Sequence, residues 1–151
     1  MKRDIRDATF STLIRMRANW TCEWCGKYYA EGNRQGLHCS HLLTRRSRAT
    51  RWHSSNACAH CFSCHQKFGG HPLDAAQFIE DRLGKDGVEE IRYLHSLPIK
   101  LTKTDLQDVA IDLKAQLKTM EEGGEVETPA TILLAIETAQ ALRVRVAGQV
   151  C

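Results

Sequence analysis

The chain of 151 residues contains no apolar run approaching the roughly 18 residues that a membrane-spanning helix requires. Its opening stretch, MKRDIRDATFSTLIRMR, carries charge throughout and lacks the apolar core of an export signal. Low-complexity tracts are missing too, and 42% hydrophobic with 26% charged residues excludes an acidic disordered chain. The length suits one compact domain, or a small domain with a helical extension. The expectation from these absences is a cytoplasmic protein with no membrane partner.

Acidic residues are scarce in one half only. Residues 1–71 hold 12 Lys/Arg against 4 Asp/Glu, whereas residues 72–151 hold 9 against 14. Cysteine and histidine are skewed the same way, with six of seven Cys and six of seven His between residues 22 and 71. The chemistry therefore belongs to the first half. A secreted disulfide scaffold is a poor explanation, because no export signal is present and the cysteine count is odd.

Spacing says more than number. Cys22-Glu23-Trp24-Cys25 and Cys61-Phe62-Ser63-Cys64 are two CxxC pairs. Two intervening residues let both thiolates reach one ion from a tight turn, and two pairs complete the closed tetrahedral shell of a structural Zn²⁺ site. Gly26 follows the first pair, where a knuckle often needs positive φ. Zinc binding would add folding free energy on the order of 10 kcal/mol to a half-chain with few large apolar residues. A redox CxxC is the competing reading, but it usually accompanies a βαβ pattern, which is not visible. Cys58, three residues before Cys61, leaves open a shifted pair, and Cys39 reads as a small buried residue.

Asp4 or Asp7 can cap a first helix through about Asn19, with Phe10, Leu13, Ile14 and Arg17 at helical spacing. Lys27 to Leu43 reads as a β-hairpin turning at Glu31-Gly32-Asn33, its returning strand Leu37 to Leu43. A short helix is expected from Asn56 to the Gly69-Gly70 break. Beyond it lie a helix from Pro72 to Gly84 and another from Asp86 to Leu97. A third begins at Thr102, with Leu106, Val109, Ala110, Leu113, Leu117 and Met120 as one apolar stripe. A glycine-containing linker, Glu121 to Thr128, precedes a last helix from Pro129.

Between the CxxC pairs, His41 ends a strand, and Asn56-Ala-Cys-Ala-His-Cys61-Phe-Ser-Cys64-His65 has the pattern N-x4-C-x2-C-H. This order resembles the HNH (ββα-metal) nuclease family. The N-terminal helix leading into C-x2-C-G, the Ser40-His41 strand end and Arg51-Trp52 ahead of the Asn make it similar to the phage NinG/Rap group of HNH-like recombination nucleases. The likeness spans about residues 8–120, with specific motifs in 22–65 alone.

The resemblance implies DNA cleavage leaving a 5′-phosphate, in a host cell's cytoplasm for a phage-encoded chain. It implies that His65 helps hold a catalytic divalent ion, magnesium or manganese, and that Asn56 ties the connecting loop back to fix His41. Physical chemistry agrees on His41 as general base, since an imidazole near its ordinary pKa accepts a proton at neutral pH.

One departure from the family stands out. Many HNH enzymes place a metal-ligating Asp before the strand His, and here that residue is Ser40, a poor ligand for a hard cation. His38 shares a strand face with Ser40 and is the substitute ligand, with His60 and His71 as further candidates. An all-imidazole site favours manganese, nickel or zinc over magnesium. Arg45, Arg46, Arg48 and Arg51 beside His41 are the candidate DNA-phosphate contacts, with Lys27, Arg34 and Lys67 as further members. Trp52 reads first as a residue packed behind this loop, with base stacking as its alternative.

The resulting expectation is an α+β protein: a ββα-metal core over 1–71 with a four-cysteine zinc site, a helical extension over 72–121 packed on it, and a C-terminal helix over 129–151. Its expected substrate is branched or nicked DNA, with a homodimer through the C-terminal helices as one assembly. The alternatives are a catalytically inactive zinc-dependent DNA-binding or recombination accessory protein, and a protein–protein module built on the C-terminal helices.

Overall fold

Asp4 starts helix α1 (Ile5–Arg17), and a capping box closes its first turn. The Asp4 carboxylate accepts from the Arg6 amide at 2.9 Å, and the Asp7 carboxylate accepts from the Asp4 amide at 3.2 Å. The computed structural model describes residues 4–126. The expected helix from Pro129, and its part in a dimer, therefore lie outside the described residues. Among the described residues no helix is long and apolar enough to cross a membrane.

After α1 the backbone turns through positive φ at Asn19 and Trp20 into the first cysteine knuckle. The knuckle closes on itself. Cys22 N–H donates to the Lys27 carbonyl, Gly26 N–H to the Cys22 carbonyl and Tyr29 N–H to the Trp20 carbonyl, each at 2.9 Å. Gly26 has φ 74°, the left-handed conformation expected for the residue after the pair.

These bonds overturn the hairpin expected over Lys27–Leu43. Tyr28 bridges Thr21, so its backbone serves the knuckle. The strand β1 (Leu37–His41) instead pairs antiparallel with β2 (Ala57–Cys61), in a register that sets Leu37 opposite Cys61 and His41 opposite Ala57. Asn56 thus ends a 3₁₀ turn, Ser54–Asn56, ahead of a strand rather than opening a helix. The helix α2 (Phe62–Gly70) begins six residues later, with Cys61 as its N-cap.

Helix α3 (Pro72–Ser96) starts on its proline and is broken at Gly84, whose φ of 68° and ψ of 171° separate the two expected helices. Helix α4 (Lys103–Glu121) starts from a Thr102/Asp105 capping box. Its Val109 and Leu113 are buried, and they join Phe10, Leu13 and Ile14 of α1, Leu37 and Trp52 in one core. Leu106, Leu117 and Met120 pack against that core. The apolar stripe of α4 thus packs in good part against α1 within the chain. The overall arrangement is a small α+β fold of four described helices and a two-stranded antiparallel sheet.

Candidate metal centre and imidazole groove

The knuckle delivers Cys22 and Cys25, the end of β2 delivers Cys61, and the first turn of α2 delivers Cys64. Their four sulfurs lie within 4.8 Å of one another. Cys25 and Cys61 Sγ stand 3.7 Å apart, against roughly 3.8 Å for the edge of a tetrahedron with zinc–sulfur bonds near 2.3 Å. The donor chemistry and the spacing both fit a structural ion such as zinc. Burial acts to raise the Cys61 thiol, but the Cys64 amide at the start of α2 and the neighbouring thiols bring it down to about 7.

Cys58 is not part of this set. Its fully buried thiol faces the His60 ring at 3.3 Å and the Ser40 carbonyl at 3.9 Å, and burial pushes its pKa up. Cys39, held at about 11 mainly by burial, is likewise a protonated thiol at neutral pH. The shifted Cys58–Cys61 pairing is thereby excluded by geometry.

Beside β1 an open groove of about 960 Å³ is lined by His38, His41, Arg45, Arg34, His65 and the α1 residues Asp7, Ser11 and Arg15, among others. His41 Nε2 lies 2.8 Å from the Arg51 carbonyl. A carbonyl can only accept, so Nε2 carries the proton and Nδ1 is the free acceptor of the neutral ring. Burial lowers the His41 pKa, against the bond to the Arg51 carbonyl, which raises it, and the Arg45 charge lowers it further, so the site favours the neutral ring.

His65 Nδ1 is 2.6 Å from Ser40 Oγ, and its ring stacks on His38 with centroids 5.3 Å apart and planes at 6°. The buried Nε2 of His38 has no hydrogen-bond partner among the described residues. Two imidazoles thus come together where the sequence suggested ligands. Among the described residues, however, the cysteine cluster is the one group of three or more such donors within reach of a single ion.

His60 is not a member of the groove. It is fully buried against Trp24, Phe68 and Phe78, and burial lowers it to about 4. His71 sits exposed at the junction of α2 and α3, outside the groove lining.

Asn56 is fully buried and spans the loop after β1. Its Oδ1 accepts from the Leu43 amide at 2.7 Å, and its Nδ2 donates to the Leu43 and Thr50 carbonyls at 3.2 and 3.0 Å. Both ends of the basic loop are thereby tied to one side chain.

The four arginines of that loop have different fates. Arg46 is exposed, Arg45 lines the groove, and Arg48 lies over the Trp52 ring at 6.0 Å. Arg51 is only 4% exposed, because its guanidinium is bonded to the Asp7 carboxylate at 2.6 and 2.9 Å. Its expected role as a DNA-phosphate contact is corrected accordingly: a buried ion pair cannot face a phosphate. Trp52 is fully buried and packs behind the loop. Lys67 pairs with Asp74 and covers Trp24, and so belongs to the cysteine side.

Sequence reasoning missed the polar wall that α1 gives the groove. Asp7, Ser11 and Arg15 are all buried, and their i, i+4, i+8 spacing puts them on one helix face. That spacing was visible beside the apolar positions, and it was the available signal. Arg15 Nε donates to the Leu37 carbonyl at 2.7 Å, anchoring β1 to α1.

No protein-family model, curated protein or solved structure matches this chain.

Proposed function

We propose that the chain is a metal-dependent endonuclease of the HNH (ββα-metal) type, hydrolysing DNA phosphodiester bonds on branched or nicked recombination intermediates and leaving 5′-phosphates. One observation carries this reading. A neutral His41, with Nε2 held by a main-chain carbonyl and Nδ1 free, lines the same groove as His38, His65 and the cations Arg34 and Arg45.

His41 Nδ1 takes the proton of the water that attacks phosphorus. Arg45 and Arg34 pair with phosphate oxygens and balance the charge that grows there. Asn56 holds the loop that carries Arg45 and Arg46. The chain's fittest holders for a catalytic ion are His65 and His38, and a divalent ion there would supply charge compensation at phosphorus and at the leaving 3′ oxygen. Two imidazoles and no carboxylate favour manganese, nickel or zinc over magnesium. The cysteine cluster, loaded with zinc, staples β2 and α2 to the knuckle.

A second reading, a zinc-dependent DNA-binding or recombination accessory protein without catalysis, draws on Ser40. Its hydroxyl stands where the family carries an acidic ligand, and it bonds His65 directly.

A nicking assay separates the two. Zinc-loaded wild type and His41→Ala are compared on supercoiled plasmid and on a synthetic four-way junction, with magnesium, manganese or nickel. The expected result is metal-dependent cutting by wild type, reduced by at least about 10²-fold in a His41→Ala protein that still binds DNA. Salt-sensitive binding with no cutting under any metal would establish the accessory reading.

A further inference from the structure

We propose that Asp7, on α1 and far in sequence from the ββα unit, is a positioning residue that sets the tautomer and orientation of His41. The carbonyl that accepts from His41 Nε2 belongs to the peptide unit joining Arg51 to Trp52. The side chains on both sides of that peptide donate to one carboxylate. Arg51 Nε and Trp52 Nε1 reach Asp7 Oδ1 at 2.9 and 3.0 Å, and Arg51 Nη2 reaches Oδ2 at 2.6 Å. The peptide is therefore clamped at both ends, and its carbonyl has one direction in which to point.

The clamp is itself rigid. Asp7 is only 4% exposed, its Oδ2 also accepts from the Asp4 amide at 3.2 Å, and Arg45 of the same groove lies 3.9 Å away. Phe10, one helical turn along α1, packs against the His41 ring with centroids 5.8 Å apart. One helix thus sets both the ring plane, through Phe10, and the acceptor of its Nε2–H, through Asp7. A general base works only in the tautomer that leaves the reacting nitrogen unprotonated, so holding this carbonyl holds Nδ1 ready.

Asp7→Asn is the test variant. It keeps size but turns one arm into an NH₂ group, which faces the Arg51 donors and cannot accept from them. The full zinc-loaded chain, labelled with ¹⁵N-histidine, is examined by long-range ¹H–¹⁵N correlation at one pH. The same proteins are assayed for plasmid nicking. Wild-type His41 is expected with its proton on Nε2. Asp7→Asn is expected to gain a population protonated on Nδ1, with kcat lower by about 10- to 100-fold and KM for plasmid within about twofold.

Trp52→Phe removes one donor while keeping an aromatic ring, and should shift the tautomer in the same direction by less. It also decides the matter should Asp7→Asn not fold. An unchanged Nε2–H tautomer in the folded variants overturns the proposal, as does a loss confined to KM. The rate effect rests on the nuclease reading, but the tautomer does not: a wild type that fails to cut DNA sinks that reading and leaves the NMR result to judge Asp7.

Discussion

The cysteine cluster and the imidazole groove meet on α2, where Cys64 and His65 are neighbours in sequence, yet they are finished to different degrees. In the cluster four like donors converge within 4.8 Å, a closed arrangement with no position left over. In the groove the imidazoles are engaged differently: one is tied to a carbonyl, one to a hydroxyl, and one has a buried nitrogen without a partner among the described residues. The first arrangement suits a structural ion. The second keeps unsatisfied groups beside arginines and an open volume, which is what a site that must admit a substrate requires.

Breaking the closed region should have the largest effect. Cys61→Ser, or stripping the metal with a strong chelator, is expected to remove zinc and folding free energy on the order of 10 kcal/mol, abolishing the cooperative thermal transition seen by circular dichroism. Cys58→Ser should retain one zinc per chain by metal counting. Zinc held normally by Cys61→Ser but lost by Cys58→Ser would reverse the assignment.

Next in size is the buried ion pair behind the groove. Burial acts to raise the Asp7 carboxyl, but hydrogen bonds from Arg51, the Asp4 amide and Trp52 hold it at about 2, below its ordinary 3.8. A carboxylate depressed in the folded state stabilises above its unfolded pKa and loses that contribution as pH falls towards the folded value. Asp7→Asn should therefore cost about 3 kcal/mol in urea denaturation, by the same amount from about pH 8 to 5. The difference should fade only from about 3.8 down towards 2. A difference that decays above about pH 5 would mean that the carboxylate is not so held.

Asn56→Ala removes three hydrogen bonds from a buried side chain to the loop. The expected cost is about 2 kcal/mol, with faster amide exchange at Leu43, whose N–H donates to Asn56. Unchanged protection at Leu43 would show the loop to be held by other means.

The smallest effect sharpens the contrast within the basic loop. Arg46→Ala should weaken DNA binding a few-fold and lower the slope of log affinity against log salt by about one. Arg51→Ala should act chiefly on stability, since its guanidinium is engaged with Asp7. Identical salt slopes for Arg46→Ala and wild type would remove Arg46 from the interface.

Most of the helical structure was legible in the sequence because its signals are local. Asp4 before an apolar period, Pro72 at a first turn, Thr102 with Asp105, and Gly84 at a break each act within a few residues. The CxxC spacing was legible for the same reason. The strand pairing was not: Tyr28 and Tyr29 look like the near partner of β1, but their backbone closes the knuckle, and β1 instead finds β2 across the basic loop. Arg51 illustrates the same limit. Nothing in the run of arginines distinguishes Arg51, buried against a carboxylate 44 residues away, from Arg46, which is exposed.

What short spacing and capping chemistry could specify was therefore specified: four cysteines able to share an ion, a strand His, a helix His and helix ends at their caps. Which cysteines converge, which strand pairs with β1, which arginine is buried and which nitrogen of His41 stays free depend on groups brought together from α1, the loop and β2. Those choices rest on long-range pairing and burial, where a hydrogen bond or ion pair gains its worth from the exclusion of water. Only the assembled chain supplies that environment.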